Sequence, residues 1–170
     1  MLQIGPEDPR ELYLAALLAE ADAYSRSLYP DESRNPADAA FLAGPGVQFL
    51  VARAGGAAVG CGALVLLGGG AGEVKRLVVR AAARGQGVGR ALLAAIEAAA
   101  EREGLACLLL ETGPRNEAAL GLYRRSGYRE RPPFGSHRAN PHSVFMEKSL
   151  PPRPPAAPVV PGTGFEPVAP

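Results

Sequence analysis

The first stretch whose residue types and spacing suggest chemistry is Arg84-Gly85-Gln86-Gly87-Val88-Gly89-Arg90. It lies between a β-branched run, Val74 to Val79, and a helical pattern in which Val88, Leu92, Ile96 and Ala99 recur on one face. Glycines let the backbone approach a ligand and aim N–H groups at it. The first turn of a helix adds unpaired N–H groups at the positive end of its dipole. A strand, a glycine turn and a helix start in that order make an anion site, and phosphate is a natural occupant. A nucleotide P-loop requires Gly-Lys-Ser/Thr, whereas Arg90-Ala91 follows Gly89. A dinucleotide loop requires a third glycine where Arg90 stands, although Glu111 could pose as its ribose-binding acid. An oxidoreductase therefore stays open as a minor alternative.

Arg84-x-x-Gly87-x-Gly89 resembles the pyrophosphate loop of the GNAT N-acetyltransferases. Asn116-x-x-Ala119-x-x-x-Tyr123-x-x-x-Gly127-Tyr128 resembles their second signature, in the family's order, and the resemblance spans residues 1–150. It implies acetyl-CoA as cosubstrate and no metal. The pantetheine arm is expected on the backbone of Leu77, Val78 and Val79. The pyrophosphate is expected on Arg84, Gly85, Gln86, Gly87, Val88 and Gly89, with Arg90 adding charge and Asn116 facing the cofactor. The implied reaction moves the acetyl group to a primary amine by direct attack in a ternary complex. Tyr123 then protonates the leaving thiolate, which a phenol with a pKa of about 10 can do at neutral pH. Asn116 and Tyr123, seven residues apart, fall on one helix face. Without the resemblance, Tyr123 reads as a packed aromatic and Asn116 as an N-cap.

Glu73, eleven residues before Arg84, matches the strand glutamate that several family members use as base, and it reads equally as a surface residue at a strand edge. Glu111 is the second candidate base. His137 and His142, the only histidines, lie in a polar loop where such side chains are usually solvated. Ala23-Tyr24, Leu28-Tyr29-Pro30-Asp31-Glu32-Ser33, Glu111-Thr112-Gly113, Pro133-Phe134-Gly135 and Ser143 to Lys148 look like a group of small bacterial acetyltransferases of mostly unassigned acceptor. The acceptor is left as a small-molecule amine or a protein or peptide amine, and a homodimer is left open. A non-catalytic acyl-CoA-binding sensor is the rival reading.

These residues need elements to hold them. A short strand over 1–4 is followed by a helix for which Asp8 reads as N-cap, Pro9 as first residue and Glu11 as the partner in a capping box. Leu14, Leu17, Leu18, Ala21 and Leu28 give that helix one apolar face, and Tyr29-Pro30 stops it. Asn35-Pro36 opens a second, shorter helix. Strands over 47–53 and 57–67 form a hairpin at Gly55-Gly56, and Gly68-Gly69-Gly70 turns into the central strand. That strand, the helix over 88–103 and an apolar strand over 105–111 make a parallel βαβ unit. A helix over 116–126 and an antiparallel pair, 128–131 and 143–150, complete the domain. The fold class is α/β: a single domain with a mixed, mostly antiparallel sheet around that central unit.

Composition bounds the function. With 47% hydrophobic and 21% charged residues, the chain reads as one soluble globular domain. A net charge of +1 gives no reason to expect nucleic acid or a membrane surface as partner. Two cysteines in apolar runs read as free thiols, which fits the cytoplasm, and no signal peptide or membrane span is expected. From Pro151 the composition shifts: eight of the last twenty residues are proline, so 151–170 is expected to be a disordered tail.

Overall fold

A computed structural model describes residues 1–29, 37–154 and 158. The Asn35-Pro36 helix start and all but a few residues of the proline-rich tail lie outside that set.

Among the described residues, seven strands form one sheet. They are β1 (Leu2–Pro6), β2 (Val47–Ala54), β3 (Ala57–Gly68), β4 (Ala71–Val79), β5 (Cys107–Thr112), β6 (Arg129–Arg131) and β7 (Val144–Ser149), in the order β1-β2-β3-β4-β5-β7-β6. The described helices that connect them are α1 (Leu12–Leu28), α2 (Ala39–Leu42), α3 (Val88–Arg102) and α4 (Glu117–Arg125), with a short 3-10 turn at Ala81–Ala83. Every neighbouring pair is antiparallel except β4 and β5.

Period-two alternation divides the sheet into two faces. Leu50, Ala52 and Leu64 face Leu92, Leu93, Ile96 and Ala99 of α3. Phe49, Val51, Cys61 and Ala63 face Leu14, Leu17 and Leu18 of α1. The two helices therefore cover opposite sides of the same strands, and β4 runs between them.

Two features of β4 shape the site. The glycine turn at 68–70 is tight enough that pairing with β3 begins at once, Gly68 opposite Ala71. Glu73 thus lies inside the strand and is buried, instead of sitting at an exposed strand edge. On its other side β4 pairs with β5 only at Ala71, Gly72 and Glu73. From Val74 onward β4 is held by β3 alone, and its other edge is open.

A β-bulge interrupts β4 after Lys75, and there Arg76 takes φ 54, a left-handed conformation that is uncommon for a residue with a side chain. Its guanidinium reaches Asp22 of α1 at 2.6 Å and the carbonyl of Leu18 at 3.4 Å, pinning α1 to the bulge.

The capping box expected at Asp8 does not form. Asp8 is engaged by Arg10, through its backbone N–H at 3.0 Å and its guanidinium at 2.8 Å, so Asp8 to Glu11 folds as a turn and α1 begins at Leu12. A carboxylate bound to a neighbouring guanidinium is no longer free to accept from a helix N–H group.

Candidate active site

A cavity of about 1490 Å³ opens where β4 parts from β5. Its volume exceeds the ~300–1,000 Å³ usual for one drug-sized ligand, which leaves room for a long ligand and a second molecule beside it. Glu73, Leu77, Val78, Val79, Arg84, Gly85, Gly87, Val88, Gly89, Arg90, Asn116 and Tyr123 all line it. Gln86 does not; its amide lies 3.5 Å from the carbonyl of Ala82, on the outside of the turn.

At one end stands the start of α3. Gly85 (φ 76) and Gly87 (φ 81) both have left-handed backbone, and an added Cβ at either would meet no protein atom within 4 Å. The space beside them is open, so glycine is required there by conformation, not by crowding. Gly87 is the N-cap of α3, and its carbonyl accepts the first helical bond from Ala91 at 3.0 Å. The N–H groups of Val88, Gly89 and Arg90 have no partner within the helix by its geometry. Arg84 donates to the carbonyl of Val79 at 3.3 Å and stacks its guanidinium 4.5 Å from the ring centre of Tyr24. Arg90 is exposed at the same end. Unpaired N–H groups, a helix dipole and two guanidiniums together fit a diphosphate.

The other end is acidic. The open edge of β4, from Val74 to Val79, leads to Glu73, a distance of about 20 Å at the rise of an extended strand. Lys75 Nζ lies 3.1 Å from Glu73 Oε1. His137 comes from the long loop before β7 and places Nε2 3.8 Å from the same oxygen, with Nδ1 3.2 Å from Glu111 Oε2. Ser143 donates to the other oxygen of Glu111 at 2.6 Å. The histidine ring packs edge-on against Phe134, 4.8 Å between centres, and beside Phe145 at 5.5 Å. His142 instead lies edge-on to Tyr29, 6.0 Å away.

Tyr123 presents itself from α4. Only 6% of it is exposed, and it contacts Tyr128 edge-on at 5.7 Å. Burial pushes its phenol above the usual tyrosine range, so it stays protonated well past neutral pH. Its hydroxyl has no hydrogen-bond partner among the described residues. Asn116 is the N-cap of α4, its Oδ1 accepting from Ala119 N–H at 3.2 Å, and it lines the cavity as well. The capping and cavity-facing positions coexist in one residue.

The end of α1 closes over this side. The N–H of Arg115 donates to the Tyr29 hydroxyl at 2.8 Å, and the Arg115 guanidinium donates to the carbonyl of Leu28 at 2.8 Å. Tyr29 lies so tightly over Gly113 that no Cβ could fit there.

Sequence reasoning read His137 as a solvated loop residue, whereas its ring packs on Phe134 beside Glu73 and Glu111, and it overlooked the Arg76–Asp22 anchor. The signal for His137 was the length and polarity of its loop, which says that something is built there without saying what it meets.

A mixed sheet whose one parallel pair splits beside a glycine-rich helix start is the framework of a coenzyme-A-type acyltransferase. The sequence profile of the Acetyltransferase (GNAT) family matches residues 12–128, and the chain belongs to that family. It is 46% identical over 148 residues to an IAA acetyltransferase of Azospirillum brasilense, covering 86% of this chain and 97% of that protein. A solved structure from Klebsiella pneumoniae, a candidate acyl-CoA N-acyltransferase, is 41% identical and superposes with a TM-score of 0.76, over 88% of this chain and 98% of that one. PaiA N-acetyltransferase from Thermoplasma acidophilum, solved with coenzyme A, shares the fold at 18% identity with a TM-score of 0.73, over 88% of this chain and 99% of that one. No helix among the described residues is long and apolar enough to cross a membrane.

Proposed function

We propose that the protein transfers an acetyl group from acetyl-CoA to a primary amine, by direct attack within a ternary complex. The observation that carries this reading is the polarity of the cavity: a basic, glycine-rich helix start at one end, a carboxylate–imidazole cluster at the other, and an unpaired strand edge between them. A diphosphate suits the first end. Backbone groups of the Leu77 to Val79 stretch that turn away from β3, toward the open edge, suit an amide-bearing arm laid along β4. A thioester carried on such an arm is delivered toward Glu73.

Each step then has a group to serve it. Glu73 draws the acceptor's ammonium to the reacting carbon. Attack of the amine expels a thiolate, and Tyr123, buried and protonated, donates to the sulfur. Asn116 faces the same arm from the start of α4.

The acceptor end favours a cation over an anion, since Glu73 and Glu111 both face it. The test is thiol release from acetyl-CoA with ethanolamine, putrescine, lysine, phenethylamine and a lysine peptide, with product mass measured in parallel. IAA belongs in the same panel because a 46%-identical relative is named for it. An acetylated amine formed mole for mole with free thiol supports the reading. Binding of acetyl-CoA with no thiol released by any acceptor leaves the acyl-CoA sensor instead, and tight NAD binding points to the dinucleotide alternative.

A further inference from the structure

We propose that His137 takes the proton from the acceptor amine, that Glu111 orients it for this role, and that Glu73 anchors the ammonium beside it. This rests on the acetyl-transfer reading and concerns which group serves as its base.

The argument begins with the hydrogen-bond inventory. A neutral imidazole has one donor and one acceptor nitrogen, and an ionised carboxylate can only accept. Glu111 Oε2 lies 3.2 Å from Nδ1; a proton on Nδ1 faces that carboxylate and leaves the lone pair on Nε2. Glu111 is itself fixed, because Ser143 donates to its other oxygen at 2.6 Å. The Phe134 and Phe145 rings, at 4.8 and 5.5 Å, hold the imidazole plane. A base with a carboxylate behind it and aromatic walls beside it is oriented before substrate arrives.

The lone pair then faces Glu73. Nε2 and Glu73 Oε1 stand 3.8 Å apart, two acceptors too distant to bond each other. An ammonium nitrogen can sit at about 2.9 Å from both, donating one N–H to each. Lys75 Nζ already lies 3.1 Å from Glu73 Oε1, so Glu73 takes the anchoring position of the two. The charged groups around the imidazole are Glu73 and Lys75 from β4 and Glu111 from β5; β7 contributes the Phe145 ring, and Arg131 of β6, paired with Glu147 of β7, stands over the Phe134 ring.

The protons balance as follows. The ammonium gives one proton to Nε2, and the neutral amine attacks the thioester carbon. The C–S bond breaks and the thiolate takes the proton of Tyr123. The second amine proton leaves to solvent, from which Tyr123 is reprotonated, and the imidazolium discharges to solvent. One proton is released overall for each amide and thiol formed.

Two measurements on the full chain test this. The first is a nitrogen-resolved NMR titration of the two histidines, with His142→Gln to assign them. It should find neutral His137 protonated on Nδ1, and the Nε2–H form would overturn the proposal whether or not an acceptor is known. The second is kcat/KM against pH for His137→Gln, with whichever of ethanolamine, putrescine, lysine and phenethylamine turns over fastest. The variant should lose about 10²–10⁴-fold at neutral pH with acetyl-CoA affinity unchanged. Its deficit should shrink as alkali deprotonates the amine in solution, which a merely structural role would not produce. Glu111→Gln should fall between variant and parent. An active parent with His137→Gln within twofold of it at every pH would overturn the assignment of the base and leave acetyl transfer standing. A parent that releases no thiol with any of these amines would count against acetyl transfer itself.

Discussion

Gly87 offers a perturbation whose two effects can be separated. Its backbone has φ 81, and an added Cβ meets no protein atom within 4 Å. The stability cost of Gly87→Ala is therefore the left-handed conformation alone, about 1–2 kcal/mol. In a domain of this size each kcal/mol lowers the melting temperature by about 2–4 °C, so the expected shift is roughly 2–8 °C. Gly104, at the far end of α3, provides a matched control: φ 72, open space around its Cβ, and no part in the cavity. Gly104→Ala should melt about as much lower as Gly87→Ala. Binding should distinguish them. Gly87 lines the cavity at the end proposed for the diphosphate, and a hydrogen bond to a charged group is worth about 1.5–3 kcal/mol. Losing one weakens acetyl-CoA roughly 10- to 100-fold. Calorimetry should show that loss in Gly87→Ala and parental affinity in Gly104→Ala. Equal affinities in the two variants would refute the placement of the phosphates on this turn.

Three further outcomes are expected. Gly113→Ala collides with the Tyr29 ring, an overpacking cost of about 1–3 kcal/mol; by loosening α1 from Arg115 it should raise the acceptor KM more than the acetyl-CoA Kd, as steady-state kinetics and calorimetry will show. Burial pushes the phenols of Tyr123 and Tyr128 above the usual range, and Glu97 adds to the effect at Tyr128. The unfolded chain ionises first, so stability is full below about pH 10 and falls above it, and denaturant midpoints at pH 8 and 11 should differ accordingly, less so in Tyr123→Phe. Removing residues 155–170, a proline-rich segment expected to pack no core of its own, should leave melting temperature and turnover unchanged within error.

What could be read in advance was local. The glycine turn, the helix that follows it and the strand before it are adjacent in sequence, and each carries its own signal in periodicity or glycine placement. The sheet's single parallel pair followed from the same βαβ unit. What escaped reading depended on distant partners. Nothing in the neighbours of Arg76 announces a positive φ; that conformation is matched by Asp22, 54 residues earlier. Glu73 read equally as a base and as a surface residue, because a charge one residue before an apolar run suggests a strand edge. The tight turn at 68–70 starts the strand sooner and carries Glu73 inside, where Lys75 and His137 meet it. Asp8 had every local mark of a helix cap, and a guanidinium two residues away claimed it first.

The central claim is that this cavity performs acyl transfer, and Tyr123→Phe tests it most directly. The substitution keeps a ring that is buried against Tyr128 and removes a hydroxyl with no protein partner among the described residues, so the fold should be retained. With an acceptor from the amine panel, kcat and kcat/KM should fall together, by about 10²-fold, the low end for loss of a general acid. Acetyl-CoA affinity should not change. Parental kcat at parental affinity would contradict the account, because Tyr123 would then be packing alone and the sulfur would receive its proton from elsewhere.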